Sequence, residues 1–247
     1  MTETHMTSPT SQTSLASVAR NGRSLAVVPP HAALVVLADP RSPTAEAYRT
    51  LAANLQFYQR PGFEGRLQAI GISSPTAGDG KSSMLANLAV ALAEGGRSVI
   101  AIDADLRRPS LHTFFGVDPK VGLSDVLLGD QAQVVLHDTA APGVRLLPAG
   151  SAPPNPLDAL GSRRFDQVLA QARAQADFVL VDTAPAAALA DAAVLAPRLD
   201  GLVLVVSAGR TRRDLARRAR EQLERVNATL LGVVLTDVRG DEKLYAY

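Results

Sequence analysis

The 247-residue sequence contains no cysteine and no tryptophan. Without cysteine there is no disulfide, no thiolate zinc site and no cysteine nucleophile. Four histidines are scattered along the chain, which argues against a His-rich metal site. A surplus of one charge is missing too. The 25 Lys and Arg stand against 24 Asp and Glu, a net charge of +1. No global field therefore pulls the chain toward nucleic acid or anionic lipid, and no nucleic-acid partner is expected. No apolar run approaches the roughly 18–20 residues of a membrane-spanning helix. The Ser/Thr-rich start, with Glu3, lacks the apolar stretch of a secretory signal. These absences predict a cytoplasmic protein. If it works at the inner face of the plasma membrane, a partner recruits it there.

What is present is enough apolar material for one full α/β core, at 47% of residues. Residues 1–33 are rich in Ser, Thr and Pro and read as a disordered tail. A lead-in segment covers 34–65. At its start the run Ala33-Leu34-Val35-Val36-Leu37, which begins on the last residue of the tail, reads as a strand or other extended segment. After the turn Asp39-Pro40-Arg41-Ser42-Pro43, a helix is expected with Thr44 as its cap and Pro61-Gly62 as its stop.

From 66 to 238 the pattern repeats as apolar run, loop and helix. The expected strands are Leu67–Ser73, Ser98–Asp103, Val144–Pro148, Phe178–Asp182, Leu202–Val206 and Leu230–Thr236. Helices are expected at 82–94, 163–175, 188–198 and 211–226. The strand runs are continuous rather than alternating, as in strands covered on both faces. The reading is an α/β fold, a mostly parallel sheet flanked by helices, with ligands at the carboxyl ends of the strands. The last nine residues, 239–247, form a short tail carrying Tyr245 and Tyr247.

Three motifs fall on expected strand ends. The first is Ser73-Ser74-Pro75-Thr76-Ala77-Gly78-Asp79-Gly80-Lys81-Ser82-Ser83, between an apolar strand and a helix with Leu85, Leu88 and Leu92 on one face. This is the setting of a phosphate-binding loop. Gly78 and Gly80 let the backbone curl so that N–H groups converge on phosphate oxygens, and the helix N-terminus adds its dipole. Lys81 supplies charge for the β- and γ-phosphates, and Ser82 a hydroxyl for Mg²⁺. The slot of the usual leading Gly holds Pro75.

The second motif is Val99-Ile100-Ala101-Ile102-Asp103-Ala104-Asp105-Leu106-Arg107-Arg108-Pro109. Two carboxylates beside a phosphate loop repel unless a cation or proton lies between them. One can serve Mg²⁺ on ATP while the other takes a proton from an attacking hydroxyl. The third motif is Phe178-Val179-Leu180-Val181-Asp182-Thr183-Ala184-Pro185. An Asp after four apolar strand residues has the Walker B pattern, which reaches Mg²⁺ through water.

Together these residues resemble the bacterial tyrosine kinases of capsule and exopolysaccharide systems, within the ParA/MinD-like P-loop ATPases. The resemblance runs from about residue 34 to 247. It rests on the Walker A loop Gly78–Ser83, the Asp-x-Asp-x-Arg motif Asp103/Asp105/Arg107 and the Walker B Asp182. It implies a kinase that takes ATP and Mg²⁺ and phosphorylates tyrosines in a neighbour's tail, here Tyr245 and Tyr247. Nucleotide would be held by Gly78, Asp79, Gly80, Lys81, Ser82, Ser83 and Arg107. Ser82, Asp105 and Asp182 would serve the metal, and Asp103 would be the base. The implied partner is a membrane polysaccharide co-polymerase. The family's oligomerising helix reads Glu-x-x-Arg-x-x-Arg, matched by Glu46 and Arg49 but with Ala52 in the last slot. Thr236 stands where the family often has Asn.

Two other readings compete. A ParA/MinD-like ATPase switch carries an extra Lys five positions before the catalytic one, where this chain has Thr76. A catalytically weak ATP-binding partner of a polysaccharide assembly is the other. The Arg-crowded helix at 211–226 reads as a solvated face, with Leu215, Ala219 and Leu223 turned to the core. His112, Phe114, Phe115 and Tyr48 read as packing residues.

Overall fold

The continuous apolar runs become strands buried on both faces. In the computed structural model, residues 34–58, 66–129 and 133–238 are described. The tails at 1–33 and 239–247, with Tyr245 and Tyr247, lie outside them, as does the expected stop at Pro61-Gly62. Strands β1 (Ala69–Ser73), β2 (Val99–Asp103), β3 (His137–Asp138), β4 (Val144–Leu147), β5 (Phe178–Asp182), β6 (Gly201–Ser207) and β7 (Leu230–Thr236) form one sheet, ordered β3-β4-β2-β5-β1-β6-β7. Every pairing is parallel except that of β3 with β4. The two-residue β3 is the one strand the sequence reading did not anticipate, since a pair such as His137-Asp138 has no periodicity to read.

Side-chain alternation along each strand divides the core. Ile70, Ile72, Val203 and Val205 face one layer, made of α1 (Val35–Ala38), α2 (Pro43–Gln56), α3 (Lys81–Glu94) and α4 (Leu111–Phe115). Ala69, Ile100, Ile102, Val179, Val181, Leu202 and Leu204 face the other layer. That layer holds α5 (Leu123–Leu128), α6 (Pro156–Gly161), α7 (Arg163–Arg173), α8 (Asp191–Leu195) and α9 (Arg213–Arg225). Helix α3 is buried nearly all round, from Met84 to Leu92, because it lies between the sheet and α2. Helix α7 buries Phe165, Val168, Leu169 and Ala172, the i, i+3, i+4, i+7 stripe of a helix with one dry face. Truncating Phe165 to Ala would cost about 3–5 kcal/mol. In α9, Ala219 and Leu223 are buried and Leu215 half-buried, while Arg213, Arg217, Arg218 and Arg225 are exposed.

Three expectations are corrected. The run at 33–37 is not extended from Val35 on. The N–H groups of Leu37 and Ala38 both bond back to Leu34 O at 2.9 Å, forming the single turn of α1. A short apolar run fits a strand or a buried turn, and here packing decides. Leu34 and Val36 are buried against α3, and the Val36 N–H reaches Asn87 Oδ1 at 3.3 Å. The cap of α2 is Ser42, not Thr44. Its Oγ accepts the Ala45 N–H at 3.2 Å, and Pro43 occupies the first helical position, where a missing N–H does no harm. The helix expected over 188–198 is limited to α8 and a 3₁₀ turn at Ala196–Arg198, with Pro197 inside that turn.

Candidate active site

The order β2-β5-β1-β6 places three strand ends side by side. Asp103 and Asp182 are direct partners across β2 and β5, and Asp182 pairs with Ile72 on β1, one residue before the phosphate loop begins. Side chains at the junction lock these ends together. Ser73 Oγ donates to Ala184 O at 3.0 Å and Thr183 Oγ1 to Ile72 O at 3.0 Å. The Ala186 N–H donates to Ser74 O at 2.8 Å.

The loop between β1 and α3 curls as expected. Gly78 and Gly80 have φ of +86° and +87°, values that a side chain would strain. Lys81, on the first turn of α3, turns back over the carboxylates. Its Nζ lies 2.9 Å from Asp105 Oδ2 and 3.2 Å from both Asp182 oxygens, and donates to Ser82 Oγ at 3.0 Å. Ser82 Oγ in turn donates to Asp182 Oδ2. Burial works against the Lys81 ammonium, but Asp182 and Asp105 outweigh it, and its pKa is raised.

Asp103 is held differently. Its Oδ2 accepts the N–H groups of Ser110 and Leu111, at 3.0 and 2.9 Å, where α4 begins. Its Oδ1 is buried with no partner. Burial and the neighbouring Asp182 charge push its pKa up to about 7, against the pull of the Leu111 N–H, Lys81 and the Ser110 N–H. Burial also raises the pKa of Asp182, with Lys81 and Ser82 opposing. The cluster is thus one ammonium among three carboxylates, with one carboxylate oxygen bare and one carboxyl poised near neutrality.

This geometry has known relatives. Residues 70–246 match the CobQ/CobB/MinD/ParA nucleotide binding domain family. The tyrosine-protein kinase YwqD of Bacillus subtilis is 36% identical over 203 residues, 82% of this chain and 84% of that protein. Among solved structures, the kinase domain of the Escherichia coli tyrosine kinase ETK superposes with a TM-score of 0.78 at 30% identity, covering 84% of this chain and 82% of that one. The septum site-determining protein MinD of Pyrococcus horikoshii, complexed with Mg-ADP, gives 0.59 at 29% identity, covering 70% and 72%. The chain belongs to the bacterial protein-tyrosine kinases. It carries the nucleotide-binding fold they share with MinD.

In this kinase the structure brings Lys81, Ser82, Asp103, Asp105 and Asp182 into one cluster, while Gly78 and Gly80 shape the loop beside it. Two residues named from the sequence are engaged elsewhere. Arg107 forms a fork on the fully buried Asp191, Nε to Oδ2 at 2.7 Å and Nη2 to Oδ1 at 3.0 Å. It thereby ties the loop after β2 to the start of α8. The Asp79 carboxylate is buried on Thr76 and Thr211. Asp191 was legible as one of the positions through which the family resemblance extends, but its pairing with Arg107 was not. Thr211 and the Ser110–Leu111 N–H pair gave no signal in the sequence.

Among the described residues no group of three or more His, Asp or Glu could by itself hold a metal. Mg²⁺ needs no such group, only one or two carboxylates beside phosphate oxygens and water. The hard oxygen donors of Ser82, Asp105 and Asp182 fit such an ion. No helix among the described residues is long and apolar enough to cross a membrane.

Proposed function

We propose that the chain transfers the γ-phosphoryl group of MgATP to protein tyrosine, its own tail tyrosines Tyr245 and Tyr247 on a neighbouring copy included. The observation that carries this reading is the bare, buried Oδ1 of Asp103 beside the Lys81 cluster. Most buried side-chain oxygens have a hydrogen-bond partner, so an open one beside the phosphate loop is placed to receive a proton. An unpaired acceptor with a pKa of about 7 suits a base that takes a hydroxyl proton. In the transfer the tyrosine oxygen forms a bond to phosphorus and the β,γ-bridging bond breaks. The tyrosine proton passes to Asp103, and ADP leaves. Lys81 offsets the charge on the transferring group, and the N–H groups of the Gly78–Ser83 loop hold the phosphates. Mg²⁺, held by Ser82, Asp105 and Asp182, would neutralise phosphate charge.

The family resemblance supports a role in capsule or exopolysaccharide export, with a membrane co-polymerase partner recruiting the kinase to the inner face of the plasma membrane. It also supports self-association. In α2, however, the Arg49 guanidinium is committed within the chain, to Glu94 at 3.0 Å and Pro40 O at 2.7 Å. Against the ATPase-switch reading stands Thr76. It takes the place of a second loop lysine, and both its N–H and its hydroxyl are turned to Asp79.

The test mixes a Lys81→Met chain, tail intact, with an active chain lacking residues 240–247, and supplies MgATP. Phosphate is expected on Tyr245 or Tyr247 of the inactive chain by mass spectrometry. Hydrolysis of ATP with no phosphotyrosine would move the assignment to the switch reading.

A further inference from the structure

A carboxylate inside a phosphate loop repels the phosphates the loop must hold unless its own partners occupy it. In this chain the Asp79 side chain is buried, with 3% of its surface exposed, on hydroxyl and N–H partners. Its Oδ2 accepts the Thr76 N–H at 2.8 Å. Its Oδ1 accepts two hydroxyls, Thr76 Oγ1 at 2.8 Å and Thr211 Oγ1 at 2.9 Å. Thr211 Oγ1 is itself taken by the Ser207 N–H at 3.0 Å, so its own proton is free to point at Asp79. From the other side, Thr236 Oγ1 donates to the Asp79 carbonyl at 2.7 Å. The Thr236 methyl lies 3.4 Å from where a Cβ on Gly80 would stand. One loop residue is thus gripped from the loop after β6 and from the end of β7.

We propose that Thr211 and Thr236 are positioning residues for nucleotide binding, acting through Asp79 to hold the phosphate loop curled before ligand arrives. The proposal rests on the kinase reading of the loop. The physical need is set by Gly78 and Gly80, both at positive φ, which leave residue 79 between two freely rotating neighbours. A loop left to order itself around phosphate subtracts that ordering entropy from affinity, whereas a loop already ordered does not. Neither threonine reaches the Lys81 cluster, so their effect is on binding rather than on the chemical step.

The experiment measures MgADP affinity of the full chain by calorimetry, well below the melting temperature. The variants are Thr211→Val, Thr236→Val, the double Val variant, Thr211→Ser and Thr236→Ser. Valine keeps the branched shape and removes only the hydroxyl, while serine keeps the hydroxyl and removes the methyl. Thr236→Val, which loses a neutral bond to a carbonyl, is expected to weaken MgADP about 5-fold, Thr211→Val, which loses a bond to a carboxylate, by at least about 5-fold, and the double by about 20-fold or more. The Ser variants should stay within about twofold, since they keep that bond. Wild-type affinity in the Val variants, or equal losses in the Ser and Val variants, would overturn the proposal. If the unaltered chain binds no MgADP, the kinase reading falls instead. Hydrogen exchange of the Thr76 amide, which donates to Asp79, then decides the clasp. Faster exchange in the Val variants supports it, and unchanged exchange overturns it.

Discussion

The phosphate loop has two flanks that hold it by opposite means. On the β2 and β5 side, Lys81 meets Asp105 and Asp182 in a buried ionic cluster, with Asp103 alongside. On the β6 and β7 side the hold comes from neutral donors, the hydroxyls of Ser207, Thr211 and Thr236, on Asp237 Oδ2, Asp79 Oδ1 and the Asp79 carbonyl, with Arg210 making only a loose 3.9 Å pair with Asp237. Charges taken out of water are unstable unless matched, so the first flank is poised to change when ligand charge arrives. Bonds from neutral donors leave no cation to be displaced when phosphate charge arrives, so the second can stay fixed while the first rearranges. The reacting groups sit on the charged flank and the scaffolding on the neutral one.

The hardest way to break this contrast is to discharge the ionic flank. Lys81→Met removes the one ammonium among three carboxylates. Phosphotransfer should fall by roughly 10³-fold or more, as when a preorganised charge partner is deleted. The ligand-free protein should also lose about 3–5 kcal/mol, because Asp105 and Asp182 are left buried and unpaired. Phosphotyrosine formation and urea denaturation check the two effects separately. Near-normal transfer by this variant would move the chemistry away from the cluster.

A finer cut separates the acids within that flank. Asp103→Asn should leave MgATP affinity within about threefold and lower turnover by roughly 10²–10⁴-fold, the range for a lost general base. Asp105→Asn should chiefly weaken the Mg²⁺-dependent part of binding. The pH dependence follows from Asp103, whose folded pKa of about 7 lies above the ordinary 3.8. The folded chain therefore holds the proton more tightly than the unfolded one. Its contribution to stability is complete below about pH 4 and is lost as pH rises toward 7, with a slope of at most about 1.4 kcal/mol per pH unit. The ligand-free chain should accordingly be less stable at pH 7 than at pH 5 by urea denaturation, and Asp103→Asn should flatten that difference. An unchanged pH profile in the variant would assign the titration to another group.

The two flanks also differ in how far they could be read from sequence. A lysine and three acids at or just beyond strand ends are types seldom fully buried unless paired, so Lys81, Asp103, Asp105 and Asp182 stood out. The parallel sheet was legible from its continuous apolar runs, apart from β3. The neutral flank was not legible, because Thr211 and Thr236 are ordinary residues in a loop and a strand. Their meaning lies in contacts with Asp79 that are 132 and 157 residues away in the chain. Arg107 was legible as a charge but not by its partner Asp191, 84 residues on. The turn of α1 was not legible because a short apolar run does not by itself distinguish a strand from a buried helical turn, and the packing of Val36 on α3 decides.

The smallest expected effect tests whether the neutral flank is one unit or a set of separate bonds. Ser207, at the end of β6, is 1% exposed, and its Oγ donates to Asp237 Oδ2 at 2.6 Å. That bond ties β6 to the residue after β7 and never touches the phosphate loop. Ser207→Ala keeps the backbone N–H that serves Thr211, so the hold on Asp79 survives. The acceptor is more than half exposed and can be rehydrated, and its contact with Arg210 is a loose 3.9 Å pair between exposed groups. The loss should therefore be that of an ordinary hydrogen bond, about 1 kcal/mol. For a domain of this size that lowers the melting temperature by roughly 2–4 °C. MgADP affinity should stay within about twofold of the unaltered chain, because the bond lost lies outside the clasp. If Ser207→Ala instead weakens MgADP as much as Thr236→Val does, the hydroxyls act as one cooperative network, and the grip on the loop is not localised at Asp79.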